Sequence, residues 1–231
     1  MAQQSPSSGP SEMSIFQSEA DVPARTQHRP SILRRIAPRR LSVVIPTRNE
    51  AGNVAVLQER LAKALVGIDH EIIIVDDSND EVSRPALAAA AAADPSWRVI
   101  ERSKREQTGL GSAVVEGLRA ARGDAVCVMD GDLQHPPELI PRLLAQVEEG
   151  ADMAVASRYM PGGSRAGLGG FGRVVVSRAA TTLARVLFRE ARKTSDPLTG
   201  FFCCRRSATA GLEFRPLGFK VLLEVLVCGR D

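Results

Sequence analysis

Asp130-Gly131-Asp132 is the segment of this sequence with the clearest capacity for chemistry. Two carboxylates flank a glycine directly after an apolar run, Ala125–Met129. Such a pair supplies hard oxygen ligands to Mg2+ or Mn2+, and glycine lets backbone come close to a ligand. Magnesium prefers one or two carboxylates completed by substrate phosphates, so the pattern points to a metal-bridged diphosphate. A second acidic pair, Asp76-Asp77, ends another apolar run, and the polar Thr47-Arg48-Asn49-Glu50 ends a third. Arg158-Tyr159 follows a further run. Gly109-Leu110-Gly111 lacks the third glycine of a dinucleotide fingerprint, and no Lys-Ser/Thr follows as in a P-loop. It reads as a tight turn opening a helix. His135 reads as a turn residue ahead of Pro136-Pro137, with a role beside a metal as the alternative; His28 and His70 receive no role.

The elements that must position these groups alternate. Leu41–Pro46, Glu71–Val75, Trp97–Glu101, Ala125–Met129 and Met153–Ser157 read as strands. Residues 53–66, 82–93, 110–121 and 137–149 read as helices, the last with proline near its start, where a missing N–H is tolerated. Continuous rather than alternating apolar runs suit strands covered on both faces, as in parallel sheets. The predicted fold is therefore α/β, a doubly wound, mostly parallel sheet flanked by helices. In such a sheet the ligand lies outside the carboxyl ends of the strands, where the polar residues above collect.

The chain has 231 residues, enough for a sizeable core without staples. Seven Phe, one Tyr and one Trp are too few for an aromatic platform that stacks nucleic-acid bases, so no nucleic-acid partner is expected. Cys127, Cys203, Cys204 and Cys228 contain no CxxC pair and read as reduced thiols in a cytoplasmic setting. No run approaches the length of a membrane span, and the first 40 residues have no signal-peptide pattern. Charge is unevenly placed. Residues 1–40 hold six arginines and three acids, so they carry the whole net charge of +3, and the remainder is neutral. Residues 1–40 are expected to be a disordered Ser/Pro/Arg-rich tail, with residues 41–231 forming the folded domain. Two readings of the tail stand: an electrostatic tether to anionic lipid, or a solvated extension.

The segments LSVVIPTRNE, IIIVDDSND, GLGSAVVEGL, VMDGDLQHPPELIP, ASRYMPGG, SDPLTGFF and GFKVLLEVL resemble the dolichol-phosphate mannosyltransferase family, within the family 2 glycosyltransferases of GT-A fold. The resemblance runs from about Leu41 to the end of the chain, and DGDLQHPPE is its most specific part. It implies transfer of mannose from GDP-mannose to a polyprenyl phosphate, inverting and dependent on Mg2+ or Mn2+. A UDP-sugar donor with the same lipid, or an inactive nucleotide-sugar or membrane-binding module, are the alternatives. Pro46, Arg48, Glu50, Val75 and Asp77 match the nucleotide-holding positions, with Arg48 standing where the family has tyrosine. Asp130, Gly131 and Asp132 match the diphosphate and metal segment, and Gln134 a further metal ligand. Arg158 matches a phosphate-binding arginine; Arg173 and Ser177 match groups that hold the acceptor phosphate.

Residues 172–193 read as one helix. Arg173 and Ser177 are then four apart on one face. Val176, Ala179, Ala180, Leu183, Val186 and Leu187 form an apolar stripe, opposite Arg178, Arg185, Arg189 and Arg192. This is either a basic amphipathic helix lying on an anionic membrane or a core helix with a solvated basic face. The resemblance implies peripheral association with the cytoplasmic face of a membrane, with a membrane-anchoring partner as a further expectation. Family members continue beyond GFKVLLEVL with a strand and a basic segment, whereas this sequence stops at Arg230-Asp231. The expectation is a domain lacking the family's C-terminal segment.

Overall fold

The computed structural model describes residues 40–157, 181–214 and 220–228. The strands are β1 (Leu41–Thr47), β2 (His70–Asp76), β3 (Trp97–Glu101), β4 (Ala125–Val128), β5 (Met153–Val155) and β6 (Phe202–Arg205). The helices are α1 (Ala51–Ala64), α2 (Ser83–Ala93), α3 (Leu110–Ala120), α4 (Ile140–Glu148), α5 (the helical residues 181–187), α6 (Arg206–Thr209) and α7 (Val221–Cys228). Six strands form one sheet in the order β3-β2-β1-β4-β6-β5. β1 pairs in parallel with β2 and β4, and β2 with β3; β6 is antiparallel to both β4 and β5. The sheet is thus mostly parallel and flanked by helices, as the apolar runs predict.

The continuous apolar runs are divided between two layers, because successive side chains of a strand point to opposite faces. Val43, Ile45, Ile72 and Ile74 pack with Leu57 and Leu61 of α1, Leu87 of α2 and Leu144 of α4. Val44, Ile73 and Val75 pack on the other face with Val114 and Leu118 of α3 and Val221 and Val225 of α7. Burial on both sides is what removes the polar alternation from these strands.

Three local readings change. β6 is an added strand that starts at the last residue of the SDPLTGFF segment, where no strand is expected. Three apolar residues and an arginine are too short a run to show a period, and their slot between β4 and β5 is a matter of pairing. The segment expected to be one helix from Pro137 begins as a 3-10 turn, Pro137–Leu139. Pro141 has no N–H to give the Pro137 carbonyl, so the Ile140 N–H takes that carbonyl one residue early. The helix expected to reach Lys193 stops at residue 187, and Glu190–Lys193 is a separate 3-10 turn. The Arg185 carbonyl accepts a hydrogen bond from Arg192 Nε at 2.7 Å, a side-chain cap where the next helical N–H would have gone. Arg185, Arg189 and Arg192 therefore do not lie along one helix, and Arg178 lies outside the described residues.

Cys127, Cys203 and Cys204 are buried free thiols, and Cys228 is an exposed one. Burial, with neighbouring cysteines adding to it, pushes the Cys127 and Cys204 thiols far above their ordinary range, so both stay protonated. The disorder expected of the tail concerns residues that, up to 39, lie outside the described set.

Candidate functional site

The carboxyl ends of β1, β2 and β4 and the start of α3 enclose a cleft of about 570 Å3. Pro46, Arg48, Glu50 and Asp77 line it together with Asp130, Gly131 and Asp132. Seven of the expected site residues thus meet in one place, although 86 positions separate the two extremes, Pro46 and Asp132, in sequence. Two do not reach it. Val75 is fully buried in the apolar layer beneath α3, and Gln134 is exposed beyond the acidic turn. Gln134 meets the site through its backbone, whose N–H donates to Asp132 Oδ1 at 3.0 Å. Arg158, Arg173 and Ser177 lie outside the described residues.

Tertiary contacts hold the loops of the cleft in conformations that local preference does not favour. Among the described residues, two non-glycines have positive φ: Asn49 at 59° and Leu133 at 63°. Such backbone persists where surrounding contacts enforce it, and it gathers at functional sites. Asn49 is enforced by a reciprocal clasp with Asn79: each donates to the other's side-chain oxygen, at 2.8 and 3.0 Å. Its backbone N–H also donates to Ser78 Oγ at 2.9 Å. The loop after β1 and the loop after β2 are thereby locked together.

The two acidic pairs have different surroundings. Asp76 is fully buried, and its Oδ1 accepts from Thr47 Oγ1 and from the Ser78 N–H and hydroxyl. Asp77 is gripped by Arg102, whose Nε donates to Oδ1 at 2.7 Å while Nη2 pairs with Oδ2. The Arg102 side chain is only 1% exposed, and its Nη1 reaches the Glu106 carbonyl and Ser112 Oγ. This arginine ties β2 to the segment that brings Gln107, Thr108, Gly109 and Leu110 into the cleft wall. Asp132, by contrast, is part-exposed, and among the described residues no cationic side chain pairs with it.

The acidic turn fits a divalent ion. A Cβ on Gly131 would meet Thr47 Cγ2 at 3.0 Å, so the turn lies against β1 in a way glycine permits. A Cβ on Gly200 would come within 3.1 and 3.2 Å of the Asp130 carboxylate oxygens, so Gly200 leaves the room in which that carboxylate sits. Two carboxylates at the rim of an open cleft match the donor set of Mg2+ or Mn2+, which takes its remaining oxygens from phosphates and water. Among the described residues no three acidic, imidazole or thiol groups converge, so the protein by itself offers only part of a coordination shell.

Arg102 and the wall from Gln107 to Leu110 with Ala113 are not expected as site residues, and the His135 ring takes the place that its sequence gives only as its alternative. The signal for the wall is the Gly109-Leu110-Gly111 turn, whose sequence by itself predicts only a helix start. Arg102 carries no local signal, because its partner Asp77 is 25 positions earlier in sequence.

A family model described as "Glycosyl transferase family 2" matches residues 42–210. A dolichol-phosphate mannosyltransferase of Pyrococcus furiosus is 39% identical over 191 residues, covering 83% of this chain and 53% of that protein. One from Saccharomyces cerevisiae is 33% identical, covering 80% and 69%. The chain thus spans between about half and two thirds of the length of the curated relatives it matches. Among solved structures, glucosyl-3-phosphoglycerate synthase of Mycobacterium tuberculosis, in complex with Mn2+, UDP and glucosyl-3-phosphoglycerate, superposes with a TM-score of 0.62. It is 25% identical and covers 81% of this chain and 64% of that one. The sheet and its helices are of the GT-A type.

Proposed function

We propose, from the premise that this chain belongs to glycosyl transferase family 2, that it transfers mannose from GDP-mannose to a polyprenyl phosphate. The observation that carries this reading is the single cleft joining Pro46, Arg48, Glu50 and Asp77 to the acidic turn Asp130-Gly131-Asp132. The likeness to proteins named dolichol-phosphate mannosyltransferase supports the donor sugar and the acceptor.

The nucleoside lies toward the Asp77 and Gln107–Leu110 side of the cleft, and the diphosphate toward Asp130 and Asp132. Asp130 and Asp132 would hold a Mg2+ or Mn2+ ion, with Gln134 adjoining. When bound, that ion supplies neutralisation of the charge that builds on the departing diphosphate. The acceptor is a phosphate, already anionic at neutral pH, so it needs positioning more than deprotonation. That role is assigned to Arg158, Arg173 and Ser177 from the motif they match, since arginine binds phosphate by paired, charge-assisted hydrogen bonds. The reaction is a direct displacement at the anomeric carbon with inversion.

A lipid acceptor places the protein at a bilayer surface. α5 buries Thr181 and Ala184 and exposes Leu183, Val186 and Leu187, which are 57%, 65% and 65% accessible. An apolar stripe turned outward, with Arg185, Arg189, Arg192 and Lys193 exposed nearby, suits peripheral contact with an anionic membrane. No helix among the described residues is long and apolar enough to cross a membrane.

A second reading keeps the acceptor and changes the donor to a UDP-sugar. The UDP complexes of the structural relatives favour it. A transfer assay with radiolabelled GDP-mannose and UDP-glucose, polyprenyl phosphate, and Mg2+ or Mn2+ present or chelated, separates the readings. Labelled lipid from GDP-mannose alone supports the first, and from UDP-glucose the second. No labelled lipid from either, despite nucleotide binding, overturns both.

A further inference from the structure

The His135 imidazole sits directly behind the acidic turn. The Asp130 backbone N–H donates to its Nδ1 at 3.0 Å. A ring nitrogen that accepts from an N–H holds a lone pair, so the ring's proton is on Nε2. The same Nδ1 lies 3.5 Å from Asp130 Oδ2, so one ring edge faces both the amide and the carboxylate of Asp130. The ring stacks on Phe201 at 5.1 Å between centroids, with planes inclined by 23°. On another side it meets Gly200, where a Cβ would stand 3.3 Å from His135 Cε1. The imidazole is thus held by the residues that lead into β6, and it holds the first residue of the turn in place.

This arrangement uses the antiparallel strand for a purpose that topology alone does not require. β6 enters between β4 and β5, and its leading residues Gly200-Phe201 form the seat of the ring. The ring passes that placement to Asp130 through one directional hydrogen bond. Leu133, at positive φ, completes the tight return from Asp132 toward His135. A carboxylate that must meet an ion gains from such support, because ligands left to rotate lose affinity.

We propose that His135 is a positioning residue, fixing Asp130 through acceptance of its backbone N–H at Nδ1, so that the turn is preformed for a divalent ion before any ligand arrives. This rests on the reading of Asp130 as a metal-holding residue.

The test uses the full chain, 15N-labelled, with His135→Asn and His135→Gln variants. In the unsubstituted protein without metal, a scalar coupling across the hydrogen bond should link the Asp130 amide nitrogen to His135 Nδ1. Absence of that coupling overturns the proposal, and this arm stands whether or not any metal binds. An asparagine oxygen can take the place of Nδ1, whereas a glutamine oxygen reaches the place of Nε2. Binding of Mn2+ with GDP, followed by electron paramagnetic resonance, should stay near the starting affinity in the asparagine variant. It should weaken about tenfold or more in the glutamine variant. Equal affinity in all three proteins, or equal loss in both variants, overturns the positioning role. If the unsubstituted protein takes up no Mn2+ while the coupling is present, the metal reading fails and the hydrogen-bond assignment survives.

Discussion

Asp77 and Asp132 line the same cleft, one at the end of β2 and the other after β4. Asp77 is neutralised from within by the buried Arg102, which also spans to the Glu106 carbonyl and to Ser112. Asp132 is part-exposed and accepts a backbone N–H from Gln134. A carboxylate locked to a buried guanidinium serves the architecture of the cleft wall, since its charge is already answered. A carboxylate supported by backbone at the rim keeps its charge for an incoming cation. The two acidic pairs therefore differ in surroundings: the charge of Asp77 is answered by Arg102 inside the wall, and that of Asp132 stands at the rim, where the proposed metal would meet it.

The sharpest way to break this contrast is to remove the buried guanidinium. Arg102→Ala leaves Asp77 with an uncompensated charge, and urea unfolding should show a loss of about 3–5 kcal/mol. A change below about 1 kcal/mol, the range of surface ion pairs, would place Arg102–Asp77 among ornamental contacts. Asp132→Ala should do the reverse. Transfer should fall by about 10²–10³-fold, the range for loss of one group that stabilises developing charge, while the thermal midpoint stays near that of the starting protein. Full activity at limiting metal would remove Asp132 from the site.

A third prediction moves from the cleft to α5. Replacing Leu183, Val186 and Leu187 together by serine should reduce binding to anionic vesicles by about tenfold or more in sedimentation. Folding stability should change by no more than about 0.5 kcal/mol per position, because these side chains are exposed. Large destabilisation instead would mean that the stripe packs within the protein.

The smallest effect concerns another internally answered carboxylate, Glu71 at the start of β2. Burial pushes its carboxyl up, but the Ser42 hydroxyl, the Arg122 N–H and Arg98 together hold it below its ordinary value of 4.5. A carboxyl lowered by folding contributes stability above its ordinary value and loses it as pH falls through the folded one. Acid titration of stability should therefore be shallower below about pH 4.5 in Glu71→Gln than in the starting protein. Parallel curves would show that Glu71 does not take part in acid unfolding.

Most of the sheet was legible along the chain. β3 falls at Trp97–Glu101 as expected, and the other anticipated strands agree to within two residues at each end. The acidic turn was legible for the same reason: strand, glycine and carboxylates are adjacent in sequence. Arg102 was not, because its meaning comes from Asp77, 25 positions earlier, and from Ser112 on the next helix. The end of α5 was not either, since a side chain, Arg192, takes over a helix carbonyl.

Composition and apolar runs determine, without coordinates, an α/β chain with its polar residues gathered at one end of the strands, because burial on two faces and turn chemistry are written in neighbouring residues. Tertiary structure alone decides which acids stay available to a ligand, where β6 inserts, and what seats His135. These depend on partners brought together by pairing across the sheet, and such partners leave no trace in local order.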